Sequence, residues 1–411
     1  MTWNRLALGI VFGIGILVSS ALADETGRVY GRITTEDGDT YEGVIRWDKN
    51  EASWVDILNG TKDRDEETDF KRKRRSSRDH SNIRLFGIYV GENESDFWGS
   101  SAASGIRMGH IKMLEPDDDD AVLLTLKSGK TVQLSEGSTD IGTNIREIII
   151  EDKNEGEVEL SWDDIEKMEF LPTPATATSN LGERLYGTLT TRAGDLYTGF
   201  VCWDMDETLT DDLLEGETRD RSRKIKFDKI ASIERYSASA CEVTLKAGES
   251  VVLRGTNDVD ESNRGITVSD PAFGDVTVGW SEFDKVEFKP APAQVTYDLF
   301  DGGKPLHGTV YTEEGESYTG TIRWDDDEEY TWELLNGNYR DAEFQIEFGL
   351  IKKIEKQSSR STTVTVSDGR TFRLRGSNDV DEDNKGIRIR VDGGKEVDID
   401  WEDFAKVEFS Q

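Results

Sequence analysis

Cysteine is almost missing from this 411-residue chain, which holds Cys202 and Cys241 alone. A scaffold stapled by several disulfides is therefore excluded. Strand alternation also aims the two thiols apart, since Cys202 is out of phase with Val201 and Trp203 while Cys241 is in phase with Val243 and Leu245. Histidine is nearly as scarce: His80, His110 and His307 stand at no metal-ligand spacing, and His307 occupies a place taken elsewhere by Tyr30 and Tyr186. Neither a nucleophile elbow nor a phosphate-cradling glycine loop occurs, which leaves the enzyme classes built on them without a footing. Positive charge is short as well, with 50 Lys and Arg against 84 Asp and Glu and a net charge of −34. Nucleic acid is excluded as a partner, because phosphate binding needs a positive field. Such a surplus of acid suits cation binding, or solubility in a salty medium.

Long apolar runs are confined to the start. Arg5 is followed by an uncharged stretch from Leu6 to Val18 and then by Ser19-Ser20-Ala21-Leu22-Ala23, the layout of a secretory signal cleaved before Asp24. The stretch is shorter than the ~20 residues that cross a bilayer. The expectation is a signal peptide over residues 1–23 and a mature chain without a transmembrane segment, exported to the periplasm or the extracellular space. Although hydrophobic residues make up only 35% of the chain, its 16 Phe, 11 Tyr and 10 Trp argue for folded cores rather than disorder.

Proline is scarce, seven in all, and four fall in two short joints, at Pro172 and Pro174 and at Pro290 and Pro292. These joints separate repeats. Residues 183–288 align without a gap to 304–409, so that Trp203-Asp204 matches Trp324-Asp325 and the run from Arg254 to Asp260 matches that from Arg375 to Asp381. A diverged first copy carries Trp47-Asp48 and Trp162 in the corresponding places. Three domains follow: 24–171 with an insertion over 61–107, 183–288 and 304–411, joined by linkers at 172–182 and 289–303.

A further duplication lies within each copy. Three apolar residues at spacing three and then Glu occur twice per copy, as Met108-Ile111-Leu114-Glu115 and Trp162-Ile165-Met168-Glu169 in the first. The same pattern begins at Phe227, Trp280, Phe348 and Trp401. That spacing matches one turn of 3₁₀ helix between strands. Elsewhere the period is two: Tyr41, Gly43, Ile45 and Trp47 share one face, with Glu42 and Arg46 opposite. Turns such as Asp37-Gly38, Ala247-Gly248 and Asp368-Gly369 join such strands as hairpins. The glycine two residues after Tyr41, Tyr197 or Tyr318 marks a bulge or bend. Units of about fifty residues, with bent strands and a 3₁₀ turn before the last, resemble the small β-barrels of SH3-like and Sm-like proteins. The resemblance implies an all-β fold of six barrel units, paired two to a domain, and carries no RNA-binding or peptide-binding residues with it.

The most concentrated polar feature runs from Asn257 to Gly265 and recurs from Asn378 to Gly386. Asp258, Asp260 and Asn263, with Asp379, Asp381 and Asp383, present alternating oxygen ligands of the kind that wrap Ca²⁺. The spacing is not that of an EF-hand, and the same residues suit a polar loop in which Asn and Asp bond the backbone. The first copy reads Ser138-Thr-Asp-Ile-Gly142 at this place and offers no matching set. Trp47, Trp203 and Trp324 fall in phase with aliphatic neighbours and are expected in the core, while Trp98 in the insertion escapes that argument. The insertion also holds a basic run over 71–75, which suits an exposed loop or a docking arm for an anionic partner. These observations lead to a non-enzymatic exported binding or scaffolding protein, with an envelope component or another protein as partner. The alternatives are a Ca²⁺-binding structural module and a hydrolase working through paired carboxylates.

Overall fold

The structure, a computed structural model, describes residues 24–63, 84–85, 88–89, 101–117, 119–135, 138–391 and 393–410. They are all-β: antiparallel strands joined by turns and single 3₁₀ turns. No helix among the described residues is long and apolar enough to cross a membrane.

One eight-strand order occurs three times. In the first repeat it runs Gly156–Leu160, Ile148–Asp152, Thr40–Trp47, Tyr30–Thr35, Ile165–Phe170, Ile111–Pro116, Ala121–Leu126, Thr131–Ser135. The second repeats it from Gly274–Val278 to Ser250–Leu253, and the third from Glu396–Ile399 to Thr371–Leu374. Beyond the last of these strands stands one more hairpin per repeat, Ile57–Asp63 with Ser101–Arg107, Leu213–Glu217 with Ser222–Lys226, and Leu334–Tyr339 with Ala342–Glu347. It is tied on at a single pair in each case, Thr61 with Ser135, Glu217 with Arg254 and Asn338 with Arg375. In the first repeat these strands take up both ends of the expected insertion, so the extra residues lie between Asp63 and Ser101. The basic run 71–75 and Trp98 lie outside the described residues.

The order is palindromic about Ile165–Phe170 and Ile111–Pro116, the two strands that carry the spaced apolar pattern and lie side by side. The hairpin Ile148–Asp152/Gly156–Leu160, from the second half of the repeat, adds to Thr40–Trp47 of the first half. The hairpin Ile57–Asp63/Ser101–Arg107, from the first half, adds to Thr131–Ser135 of the second. The halves thus exchange hairpins. The expectation of closed barrels is corrected here: among the described residues no sheet closes on itself, because the last strands of the two halves, Ile165–Phe170 and Ile111–Pro116, pair with each other and join both halves in one long open sheet.

All three members of the spaced pattern are buried in all six instances. Four begin in 3₁₀ turns, Met108–His110, Trp162–Asp164, Phe227–Lys229 and Phe348–Leu350, and those at Trp280 and Trp401 begin in other turns. Trp47, Trp203 and Trp324 are fully buried. Cys202 and Cys241 are both buried and unbridged.

The repeats are packed together. Gly274–Val278 of the second pairs with Ala342–Glu347 of the third, and one continuous apolar core runs through both. The stretch 289–303 lies against the first repeat. The Tyr297 ring sits 4.5 Å from that of Trp54, its hydroxyl donates to the Ile111 carbonyl at 2.7 Å, and Phe300 meets His110 edge-on.

Candidate carboxylate centres

Each repeat turns sharply after its core tryptophan. Two successive residues there take left-handed backbone angles, Asp48 and Lys49, Asp204 and Met205, Asp325 and Asp326. Aspartate tolerates this region better than most side chains because it bonds locally. The turn closes through paired backbone bonds between Trp47 and Glu51, Trp203 and Glu207, and Trp324 and Glu328. The first Asp and this Glu are thereby held near each other.

The polar loop meets this turn from the other side. Asp48 Oδ1 accepts the Arg146 backbone N–H at 2.6 Å, and the equivalent oxygens of Asp204 and Asp325 accept those of Arg264 and Lys385. The second oxygen accepts from Thr139, Asn257 or Asn378. The loop carbonyls of Asp140, Asp258 and Asp379 accept the indole N–H of Trp47, Trp203 and Trp324 at 2.8, 2.9 and 3.0 Å. Their carboxylates accept the backbone N–H of Asn59, Glu215 and Asn336. Two sequence features that are far apart in the chain, Trp-Asp and Asn-Asp, are therefore the halves of one network.

Carboxylates crowd where the halves meet. Single oxygens of Asp48, Glu51 and Asp140 lie within 4.8 Å of one another, as do those of Asp204, Asp206 and Glu207. Glu51 is 1% exposed, and its Oε2 has no hydrogen-bond partner; Oε2 of Glu207 and of Glu328, at the same place in the other repeats, is in the same condition. Burial, reinforced by Asp140 and Asp48, pushes the Glu51 carboxyl well above its ordinary range. Burial and neighbouring acids raise Glu207 to about 10 and Asp140 to about 7. Asp379, buried near Asp327, is also raised to about 7. Carboxylates placed so close with one oxygen unpaired take either a shared proton or a cation. The cations already at hand, Arg146 on Asp48 and Arg264 on Asp204 and Asp206, offset part of the charge.

The six residues singled out in the sequence divide among different tasks. Asp258 and Asp379 face the tryptophan turn. Asp260 and Asp381 accept the N–H two residues on, of Ser262 and Asp383, and Asn263 accepts that of Gly265, which are turns within the loop. Asp383 is exposed. Asp140 holds in the first repeat the place of Asp258, though the loop there has no matching sequence. The residues that sequence reading missed are Asp48, Glu51 and their equivalents. The signal was present as Trp-Asp-x-x-Glu at Trp47, Trp203 and Trp324.

A second recurrent acid, five residues after that Glu, works at the joins between repeats. Asp56 Oδ2 accepts the N–H of Ala52 and Ser53, Asp212 Oδ2 those of Thr208 and Leu209, and Glu333 Oε2 those of Glu329 and Tyr330. Each then receives a cation from another repeat: Arg184 on Asp56 at 2.8 Å, Arg46 on Asp212 at 2.8 Å, and Lys62 on Glu333. Nearby, Arg107 and His110 of the first repeat meet Glu347 of the third, at 3.4 and 3.2 Å. Although burial opposes it, the His110 ring, whose Nε2 meets Glu347 Oε1, and the Arg107 guanidinium hold the Glu347 carboxyl below its ordinary range.

No family model, no curated protein and no solved structure matches the chain.

Proposed function

We propose that the chain is an exported, non-enzymatic scaffolding protein of the cell envelope or extracellular space, built from three tandem domains. Five strands with a short turn before the last, found twice per domain, support reading each domain as a pair of SH3-like units that have exchanged hairpins. One observation carries the scaffolding role. The same carboxylate, Asp56, Asp212 or Glu333, caps its own loop in every domain and takes a cation from a neighbour, so repetition has been used to make a rigid block. Such a block presents ligand surfaces at fixed spacing and loses little entropy on binding. Immobilised protein is expected to retain one component of the native envelope or secreted fraction in stoichiometric amount and to release it unaltered. Chemical turnover of the retained molecule, or retention of nothing above an albumin control, refutes the role.

A second reading is favoured by the unpartnered Oε2 of buried Glu51 and its recurrence at Glu207 and Glu328. In this reading the centres take up a divalent cation, with Ca²⁺ the hard ion suited to carboxylate and carbonyl oxygens, as structural counter-ion. Calorimetry with Ca²⁺ is expected to show uptake and a rise in melting temperature, and Glu51→Gln to remove one site's share of the heat. Absence of both heat and thermal shift at about millimolar Ca²⁺ dismisses the reading, since mM is the weak end of natural sites.

A further inference from the structure

The joint between the second and third repeats is a strand addition, and it leaves its own components unused elsewhere. Gly274–Val278, the outermost strand of the second repeat's sheet, receives Ala342–Glu347 from the third, with Asp275 opposite Gln345, Val276 opposite Phe344 and Thr277 opposite Glu343. The equivalent of the receiving strand in the third repeat is Glu396–Ile399. Among the described residues it pairs on one side only, with Ile387–Val391, and its other edge is open. The equivalent of the donated strand in the second repeat is Ser222–Lys226. Among the described residues it pairs only with Leu213–Glu217, in a two-stranded sheet with an open outer edge. One chain therefore carries unfilled acceptors and unused donors of the same kind of joint, since Gly156–Leu160 and Ser101–Arg107 of the first repeat also stand at the ends of their sheet.

Glu396–Ile399 and Ser222–Lys226 are opposite in charge. The acceptor strand reads Glu396-Val-Asp398-Ile and the donor strand Ser222-Arg223-Lys224-Ile-Lys226. Carrying the observed register across by the repeat offset sets Glu396 opposite Lys224, Val397 opposite Arg223 and Asp398 opposite Ser222. Opposite charges directly across an antiparallel pair stabilise it, and the long arginine stem covers the apolar residue it faces. In the isolated chain Lys224 pairs with Glu215 and Glu396 with Arg390. All four side chains are well exposed, and such surface pairs are worth little, so exchanging them across an interface is nearly neutral. The unpaired backbone edges then supply the directional bonds.

We propose that Ser222–Lys226 of one copy adds to the open edge of Glu396–Ile399 of a second copy, extending between molecules the joint that links the second and third repeats within one. The contact is heterologous, so it propagates head to tail into a ring or filament rather than stopping at a dimer. The inference deepens the scaffolding reading by naming a partner, a second copy of this chain, and it is independent of partner recovery from an envelope fraction.

Charged edge strands also serve to keep sheets apart, and a charge-swap series separates the two roles. Purified protein, as an exporting host processes it, is followed by sedimentation velocity over a concentration series at about 0.05 M and about 1 M salt, which brackets strong and weak screening. Concentration-dependent association is expected at low salt and its loss at high salt. Lys224→Glu or Glu396→Lys alone is expected to give monomer at low salt, and the double variant to regain association. Monomer at both salts for the unaltered chain overturns the proposal. So does restoration of Lys224→Glu by reversing Glu157 and Glu159, on the acidic open edge Gly156–Leu160, in place of Glu396. In either case a molecule retained from the envelope fraction leaves the scaffolding role standing.

Discussion

Asp275 sets the pH dependence that a single side chain contributes. It lies 8% exposed at the joint of the second and third repeats, with Oδ1 unpartnered. Burial raises its carboxyl to about 6 despite Arg107 nearby. Because the folded value lies above the unfolded one near 4, the folded state prefers the protonated acid. The resulting stabilisation is complete below about pH 4 and is lost as pH rises through about 6, a change on the order of 3 kcal/mol. Asp275→Asn has no charge to bury. It is expected to match the parent chain near pH 4 and to exceed it above pH 6, by urea melts across that range. A constant difference between the two at all pH values assigns the effect to something other than titration. At this scale much was legible: alternation placed Trp47, Trp203 and Trp324 in the core, and repetition exposed the Trp-Asp and Asn-Asp motifs. That the two motifs touch was not legible, because the hydrogen bonds joining Asp204 to Asn257 and Arg264 span more than fifty residues and leave no local periodicity.

At the scale of the element, the glycines of the repeated strands act through proximity. Gly187 and Gly199 face each other on paired strands, as do Gly31 with Gly43 and Gly308 with Gly320. A Cβ on Gly199 would stand 2.3 Å from the Ser269 carbonyl oxygen of the exchanged hairpin. The sequence reading of a bend was therefore incomplete, since what forbids a side chain here is the backbone of a strand seventy residues away. Gly199→Ala is expected to lower stability by about 2 kcal/mol, the usual cost of overpacking. Amide exchange is expected to quicken first in Leu196–Cys202 and Ile266–Asp270, the ladder it pushes apart. Unchanged protection there refutes the account. Strand type followed from alternation, but partner choice did not. Residue alternation says which face of Ile148–Asp152 is apolar and is silent on whether that hairpin completes its own half or the other. The closed-barrel expectation failed at that step.

On the scale of the whole molecule every repeat touches both others. The first and second are tied by reciprocal pairs, Arg184 with Asp56 and Arg46 with Asp212. Lys62 with Glu333 and Arg107 with Glu347 tie the first to the third, and a shared ladder ties the second to the third. Arg184 and Asp56 are each at least nine-tenths buried and bond each other through both oxygens of the carboxylate. Breaking such a pair by removing one member costs about 3–5 kcal/mol, a large fraction of a domain's stability. Loss of one repeat accordingly takes its neighbours with it, and calorimetry is expected to show a single transition whose van't Hoff and calorimetric enthalpies agree. Arg46→Met combined with Arg184→Met is expected to detach a lower-temperature transition belonging to the first repeat. The ladder keeps the second and third melting together, because it does not depend on those arginines. Three separate transitions in the unaltered chain contradict the rigid block. A double variant that still melts in one step shows that the ties to the third repeat, Lys62 with Glu333 and Arg107 with Glu347, together with the buried stretch around Tyr297 and Phe300, are enough to couple the first repeat to the rest.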